Sequence, residues 1–369
     1  MSLTSLPAEL LDSICEPLSS YPSTLSSLAL TCSSVNQSAT RVLYHSVSVS
    51  AYTRNLPIVC TLANRPELAR LLRRFSITID ESNHTPRAYY EQLHAALREM
   101  PQLESLELLV DSNASWVVSG LDFEWPRLEH LTCSFPLETH LLGFLAHTPL
   151  LRTLHLSECA LPSGQALPLT HVPLLESYSG PASLLPFLAP RPLTTIHLSG
   201  DLQLENIPAP ASAPSAGEPE PKFYSYLGPR DSENGHNSEV QVFSAITSAP
   251  PAEVLAAVAL AFPKLVYLRL MTTGVFWEAP DMTLQTHIAA TLASLPALTV
   301  FELSGMHWVA RLKTPGTASS WYKGDAAAKE WISPPVTPRM LAIPVEGDVD
   351  PEHSNNELNF GWATPHWVY

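Results

Sequence analysis

The side chains able to do chemistry in this chain are scattered along it. There are 14 histidines and 5 cysteines among 369 residues. Cys15, Cys32, Cys60, Cys133 and Cys159 lie far apart and make no Cys-x-x-Cys pair. Neither a zinc site nor a disulfide frame is expected, and reduced thiols fit a cytoplasmic or nuclear chain. No Gly-x-Ser-x-Gly elbow, Walker-type phosphate loop, His-Glu-x-x-His or Gly-x-Gly-x-x-Gly is present. The best pair is His155 and His197, which occupy equivalent slots in two Leu/Ile-x-Leu triplets. One repeat lies between them, which sets them roughly 10 Å apart at strand spacing, and no Cys or carboxylate is spaced to complete a metal site. The expectation is a chain that does no bond chemistry, holds no cofactor or metal, and works by recognition.

The two histidines sit in a repeat that must position them. Its unit is a helical stretch, often a proline, then Leu-x-x-Leu-x-Leu. The inward residues are Leu103, Leu106 and Leu108; Leu128, Leu131 and Cys133; Leu151, Leu154 and Leu156; Leu265, Leu268 and Leu270; and Leu298, Phe301 and Leu303. Weaker copies are Leu72, Phe75 and Ile77; Leu175, Tyr178 and Gly180; and Leu193, Ile196 and Leu198. Leu103, Leu128, Leu151 and Leu175 follow one another by 25, 23 and 24 residues. Leu151 to Leu161 carries the complete leucine-rich repeat signature, with Cys159 in its Asn/Cys slot, and the other copies resemble it less closely. Alternating leucines put one row inward on a short parallel strand, and the helix before each proline covers it. Candidate helices are residues 89–100, 139–147, 183–188, 253–262 and 284–295. No such unit buries its core alone, so several must stack. The fold class expected is α/β: a short N-terminal three-helix segment, then an irregular leucine-rich-repeat-like solenoid.

The slots between the inward residues form the expected recognition surface. In the early copies they hold mostly Ser, Thr and His. In the late copies they hold Tyr267, Arg269, Met271 and Glu302, with residue types enriched at interfaces. These four are the candidate target-binding residues; simple solvation is the alternative. The solenoid is expected over residues 51–205 and 239–305. Residues 206–238 carry Pro208, Pro210, Pro214, Pro219, Pro221 and Pro229 without an apolar period, and read as a solvated, disordered insertion. Whether it breaks the stack or loops out of it stays open. Residues 306–369 are Trp-rich and read as a C-terminal cap or a partner-binding tail.

Bulk composition excludes some partners. Apolar residues are 45% of the chain, and charged ones only 15%. The formal charge is −15, which opposes binding to nucleic acid or to an anionic membrane. No signal peptide is visible, and no apolar run is long enough to cross a bilayer.

The N-terminal stretch is the most specific. Leu6, Leu10, Ile14 and Leu18 recur every fourth residue and read as one helical stripe. Leu25, Leu28, Cys32 and Val35 read as a second stripe, and Leu43 as the opening of a third short segment. Pro17 falls late in the first helix, and residues 19–24 make a loose connection. Residues 3 to 50 resemble an F-box in the order Leu-Pro, Glu-Leu, Ile, Leu, then Cys, then Leu-Tyr, so a domain over residues 1–50 is expected. The resemblance implies docking to a small Skp-type adaptor through Leu6, Pro7, Leu10, Ile14, Leu18, Leu28, Cys32 and Val35. It also implies a role as substrate-receptor subunit of an SCF-type cullin–RING ubiquitin ligase, holding an unknown target protein. The alternatives are an interaction scaffold without ligase association, and an enzyme whose site is assembled from residues distant in sequence.

Overall fold

In the computed structural model, residues 6–80, 85–121, 123–157, 167–168, 170–208, 239–273, 282–312 and 329–332 are described. The protein is mixed α/β, built around a twelve-stranded sheet whose strands pair in sequence order. Ten of them run parallel: β1 (Ser46–Ser50), β2 (Arg74–Thr78), β3 (Ser105–Leu109), β4 (His130–Cys133), β5 (Thr153–Leu156), β6 (Ser177–Pro181), β7 (Thr195–Asp201), β8 (Val242–Thr247), β9 (Tyr267–Thr272) and β10 (Val300–Leu303). β11 (Met306–Leu312) and β12 (Lys329–Ile332) add antiparallel to the end.

The inward residues read from the repeat fall in one register, joined by Phe243, which the repeat had not shown. Phe75, Leu106, Leu131, Leu154, Tyr178, Ile196, Phe243, Leu268 and Phe301 are Cα partners in succession across nine strands. All are buried in a single continuous core. Each contributes about 1.5–3 kcal/mol by leaving water. The sheet-covering helices pack on this face: α4 (Pro57–Asn64), α5 (Pro66–Ala69), α6 (Arg87–Arg98), α7 (Thr139–Leu145), α8 (Leu185–Leu188), α9 (Pro251–Ala261) and α10 (Met282–Ala293). Proline opens α4, α5 and α9, where its missing N–H has no partner to lose. Trp125 is wholly buried between Phe123, at 4.9 Å, and Phe144, at 5.4 Å between ring centres.

Two of the parallel strands escaped the sequence reading, as did the antiparallel β11 and β12. β1 presents Val47 and Val49 inward, and β8 presents Phe243 and Ala245 after Val240. Neither contains a leucine. β7 pairs directly with β8, so the sheet continues across residues 209–238, which lie outside the described residues together with most of the expected insertion. The start of that range corrects the expectation: Leu204–Asn206 forms a 3₁₀ turn and Ile207 is buried against the core. The junction is stitched on both sides. Leu202 N donates to Ile246 O at 2.7 Å, and Ser248 N donates to the Asp201 carboxylate at 2.6 Å. Removing residues 209–232 is therefore expected to leave the melting temperature within about 2 °C of wild type, because closure entropy changes slowly with loop length. Differential scanning calorimetry checks this.

One copy departs from leucine in a compensated way. Gly180 stands in an inward slot, and the Tyr178 ring occupies the room a leucine there would take. A Cβ on Gly180 would come within 2.8 Å of the Tyr178 hydroxyl and 3.0 Å of the Leu156 carbonyl. The Tyr178 hydroxyl donates to Pro181 O at 3.0 Å. Gly180→Leu restores the repeat pattern and is nevertheless expected to destabilise by about 2 kcal/mol through overpacking. Urea denaturation should show part of the loss recovered in Gly180→Leu with Tyr178→Leu.

The β1 edge of the sheet is blocked by a side chain. On β1, Asn55 Nδ2 donates to Ser48 O at 2.7 Å, and Ser50 N donates to Asn55 Oδ1 at 2.9 Å. The asparagine amide thus takes the backbone groups that an added strand would use. At the other end, Ser304 and Gly305 have φ of 48° and 85° and turn β10 into β11 by a two-residue hairpin. This places Trp308 on Phe301, stacked at 5.3 Å, with Trp331 also against the core. The tail beyond residue 332 lies outside the described residues, as do Trp321, Trp362 and Trp367.

The N-terminal helices form their own small core. α1 (Ala8–Cys15), α2 (Pro22–Ala29) and α3 (Ser33–Leu43) bury Cys15, Leu25 and Ala39, with Leu18, Leu28 and Leu43 packed beside them. Pro17 ends α1, and Glu16–Leu18 continues as one 3₁₀ turn. Two expectations need correction. Leu25, Leu28, Cys32 and Val35 do not share one helix, because the chain leaves the helix after Ala29 and starts α3 at Ser33. Leu43 closes α3 rather than opening a third segment. The small buried residues Ser38 and Ala39 make that face of α3 hard to see in sequence.

Candidate binding surfaces

The first surface is on the N-terminal helices. α1 has two apolar faces. Leu11 and Cys15 point into the protein, while Leu10 is 51% exposed and Ile14 is 45% exposed. The fourfold stripe read from the sequence is therefore split: Leu10 and Ile14 face solvent, and Leu6 and Leu18 are half-buried. Pro7 is exposed and its carbonyl accepts from Leu10 N at 3.1 Å and Leu11 N at 3.2 Å, starting the helix. Of the other candidates, Leu28 serves the small core, Cys32 is half-buried at the N-cap of α3, and Val35 is buried. Hydrogen bonding from the Ser34 hydroxyl and then the Val35 backbone holds the Cys32 thiol below its ordinary pKa. Burial, with Asp12 nearby, pushes the Cys15 thiol up. The arrangement is held by an Asp12–Arg41 ion pair at 3.0 Å between α1 and α3, and by Asn36 Nδ2 donating to Ala29 O at 2.8 Å. Leu30, 86% exposed, and Tyr21 flank α2 and are not among the candidates read from the sequence. An open cleft of about 860 Å³ separates these helices from β1, lined by Asp12, Arg41, Ser46 and Arg74.

The second surface is the face of the sheet opposite the helices. Its central row runs Ser76, Glu107, Thr132, His155, Ser179, His197, Ser244, Arg269 and Glu302, each the Cα partner of the next. His155 and His197 flank Ser179, one strand apart from it on each side. Burial lowers both imidazole pKa values; Glu107 partly offsets this at His155, and Arg269 and then His155 deepen it at His197. Burial thus favours the neutral form of both rings. Among the described residues, no three His, Cys, Asp or Glu side chains gather where they could hold a metal.

The structure brings together three of the four late candidates. Arg269 Nε pairs with Glu302 Oε1 at 3.3 Å, and the Tyr267 hydroxyl donates to Glu302 Oε2 at 3.3 Å. Met271 lies two residues along β9, opposite Ile246 of β8. Sequence reasoning missed the apolar row beside this cluster: Val242, Tyr267, Val300, Val309 and Ile332, in register from β8 to β12. The Ser-Gly turn signal at residues 304–305 was available and would have placed β11. No family model matches the chain, and no curated protein matches it. No helix among the described residues is long and apolar enough to cross a membrane.

Proposed function

We propose that this chain is a substrate-receptor subunit of an SCF-type cullin–RING ubiquitin ligase. In this reading it works in the cytoplasm or nucleus, with the N-terminal helices as an F-box docking on the Skp-type adaptor. The sheet and its covering helices are a degenerate leucine-rich-repeat solenoid that holds the target. The observation that carries the reading is the unpartnered apolar face of α1. Leu10 and Ile14 stand exposed on a helical unit whose core is separate from that of the sheet. They fall within the Leu-Pro to Leu-Tyr order that resembles an F-box. Three helices of this size bury little by themselves, so a covering partner fits their exposed face. The chain would act by proximity, placing a bound protein near a ubiquitin-conjugating enzyme carried by other subunits. The charge of −15 fits protein partners better than nucleic acid or membrane.

The test is affinity purification of the tagged full chain from cells, with and without proteasome inhibition, read by mass spectrometry. Copurification of a Skp-type adaptor and a cullin is expected, with further proteins accumulating under inhibition. Recovery of stable partners without any adaptor would overturn the ligase reading and leave an interaction scaffold.

A further inference from the structure

The open face of the sheet changes character along its length. Over β3 to β7 the outward slots are mainly Ser, Thr and His, whereas from β8 onward one row is wholly apolar. Val242, Tyr267, Val300, Val309 and Ile332 are partners in succession across five strands, and none is buried. Four strand intervals of about 4.8 Å make this row roughly 19 Å long. A helix lying across the strands offers one side chain per turn, about every 5.4 Å, so its apolar stripe meets nearly every strand. An extended segment crossing the same way repeats a side every 6.6 Å or more and falls out of step with the row.

The charges beside the row point the same way. On β8 to β11 the outward cations among the described residues are Arg269, already paired with Glu302, which also accepts from Tyr267, and Arg311, whose Cα partner on β12 is Glu330. The cluster brings its own counter-ion. It therefore offers no free cation to a phosphate or an acidic motif, and it complements a stripe that carries no charge.

We propose that the open face of β8 to β12 binds an amphipathic helix of about four turns, through an uncharged apolar stripe and without any phosphate. This rests on the receptor reading for the fate of the bound protein, though not for the contact itself. The probes are two phage-displayed peptide libraries of equal composition panned on the purified full chain. One places apolar residues at i, i+4, i+7 and i+11, and the other alternates apolar and polar residues. Enrichment from the helical library alone is expected. The enriched peptides should bind Val300→Glu with Val309→Glu at least tenfold more weakly than wild type. They should bind Arg269→Met with Glu302→Gln within about threefold. Adaptor pull-down with the same variants should be unchanged. Adaptor loss in wild type with peptide binding intact would count against the ligase and leave this site standing. Enrichment of the alternating library, of acidic peptides, or of nothing above a folded control overturns the proposal. So does indifference to the Val300/Val309 substitutions, or a wild-type dimer that those substitutions dissolve.

Discussion

Leu10→Asp combined with Ile14→Asp is expected to reduce adaptor affinity at least 100-fold and to leave the melting temperature unchanged. Both side chains are about half exposed, so the free protein loses little when they become polar. In a docked complex each would leave water, at about 1.5–3 kcal/mol, and 1.4 kcal/mol is a factor of ten in affinity. A carboxylate buried without a partner adds a further penalty. The neighbouring Leu11 is the control. It is 2% exposed, and Leu11→Ala should lower stability by about 2–4 kcal/mol. Titration calorimetry with purified adaptor separates the two effects. Undiminished binding by the double variant would remove the F-box assignment, whatever the sheet binds.

Arg191 should give the largest stability change in the repeat region. It follows α8, is only 2% exposed, and meets no carboxylate among the described residues. Its guanidinium donates to Pro168 O at 2.9 Å, to His171 O at 3.1 and 3.2 Å, and to Phe187 O. Burial lowers its pKa to about 10, so it stays charged at neutral pH. The five-donor fork reaches three carbonyls in different directions, which an ammonium cannot do. Arg191→Met removes the charge but orphans the carbonyls, at about 1–3 kcal/mol for each unpaired buried group. Arg191→Lys keeps a buried charge with fewer bonds. Both variants should lose on the order of 3 kcal/mol or more, with lysine the worse. Thermal denaturation should show a drop of several degrees, and an unaffected lysine variant would mean that the carbonyls are satisfied some other way.

How much of this was legible depended on whether a residue advertised its position. The leucines of β3, β4, β5, β9 and β10 gave the sheet its register, because period-two burial in a parallel strand leaves a direct mark. β1 and β8 use Val, Phe and Ala in the same slots, and their pattern is too weak to stand alone. Gly180 and Tyr178 share one volume, which no residue-by-residue reading can detect. α1 carries apolar residues on two faces four residues apart, so spacing showed a helix without showing which face turns inward. On the open face of the sheet, Tyr267, Arg269 and Glu302 were visible by type. Val300, Val309 and Ile332 were not, since their row exists only once strands are paired and β11 turns back. Arg191 looked like any surface arginine within a Pro-rich turn.

The junction at β7 and β8 has a consequence for the order in which the chain assembles. Elsewhere in the parallel sheet, partners such as Leu131 and Leu154, or Phe243 and Leu268, lie between 18 and 33 residues apart. Ile196 and Phe243 lie 47 apart. Doubling a closed loop adds only about 0.6 kcal/mol at equilibrium, but long-range pairing is slow to form. β1 to β7 and β8 to β12 can each grow by short steps, strand by strand, before they meet. Their docking is then the late event, and the hydrogen bonds from Ser248 to Asp201 and from Leu202 to Ile246 are among the last to close. A ribosome releasing this protein would therefore have the first seven strands in place while the eighth is still to emerge.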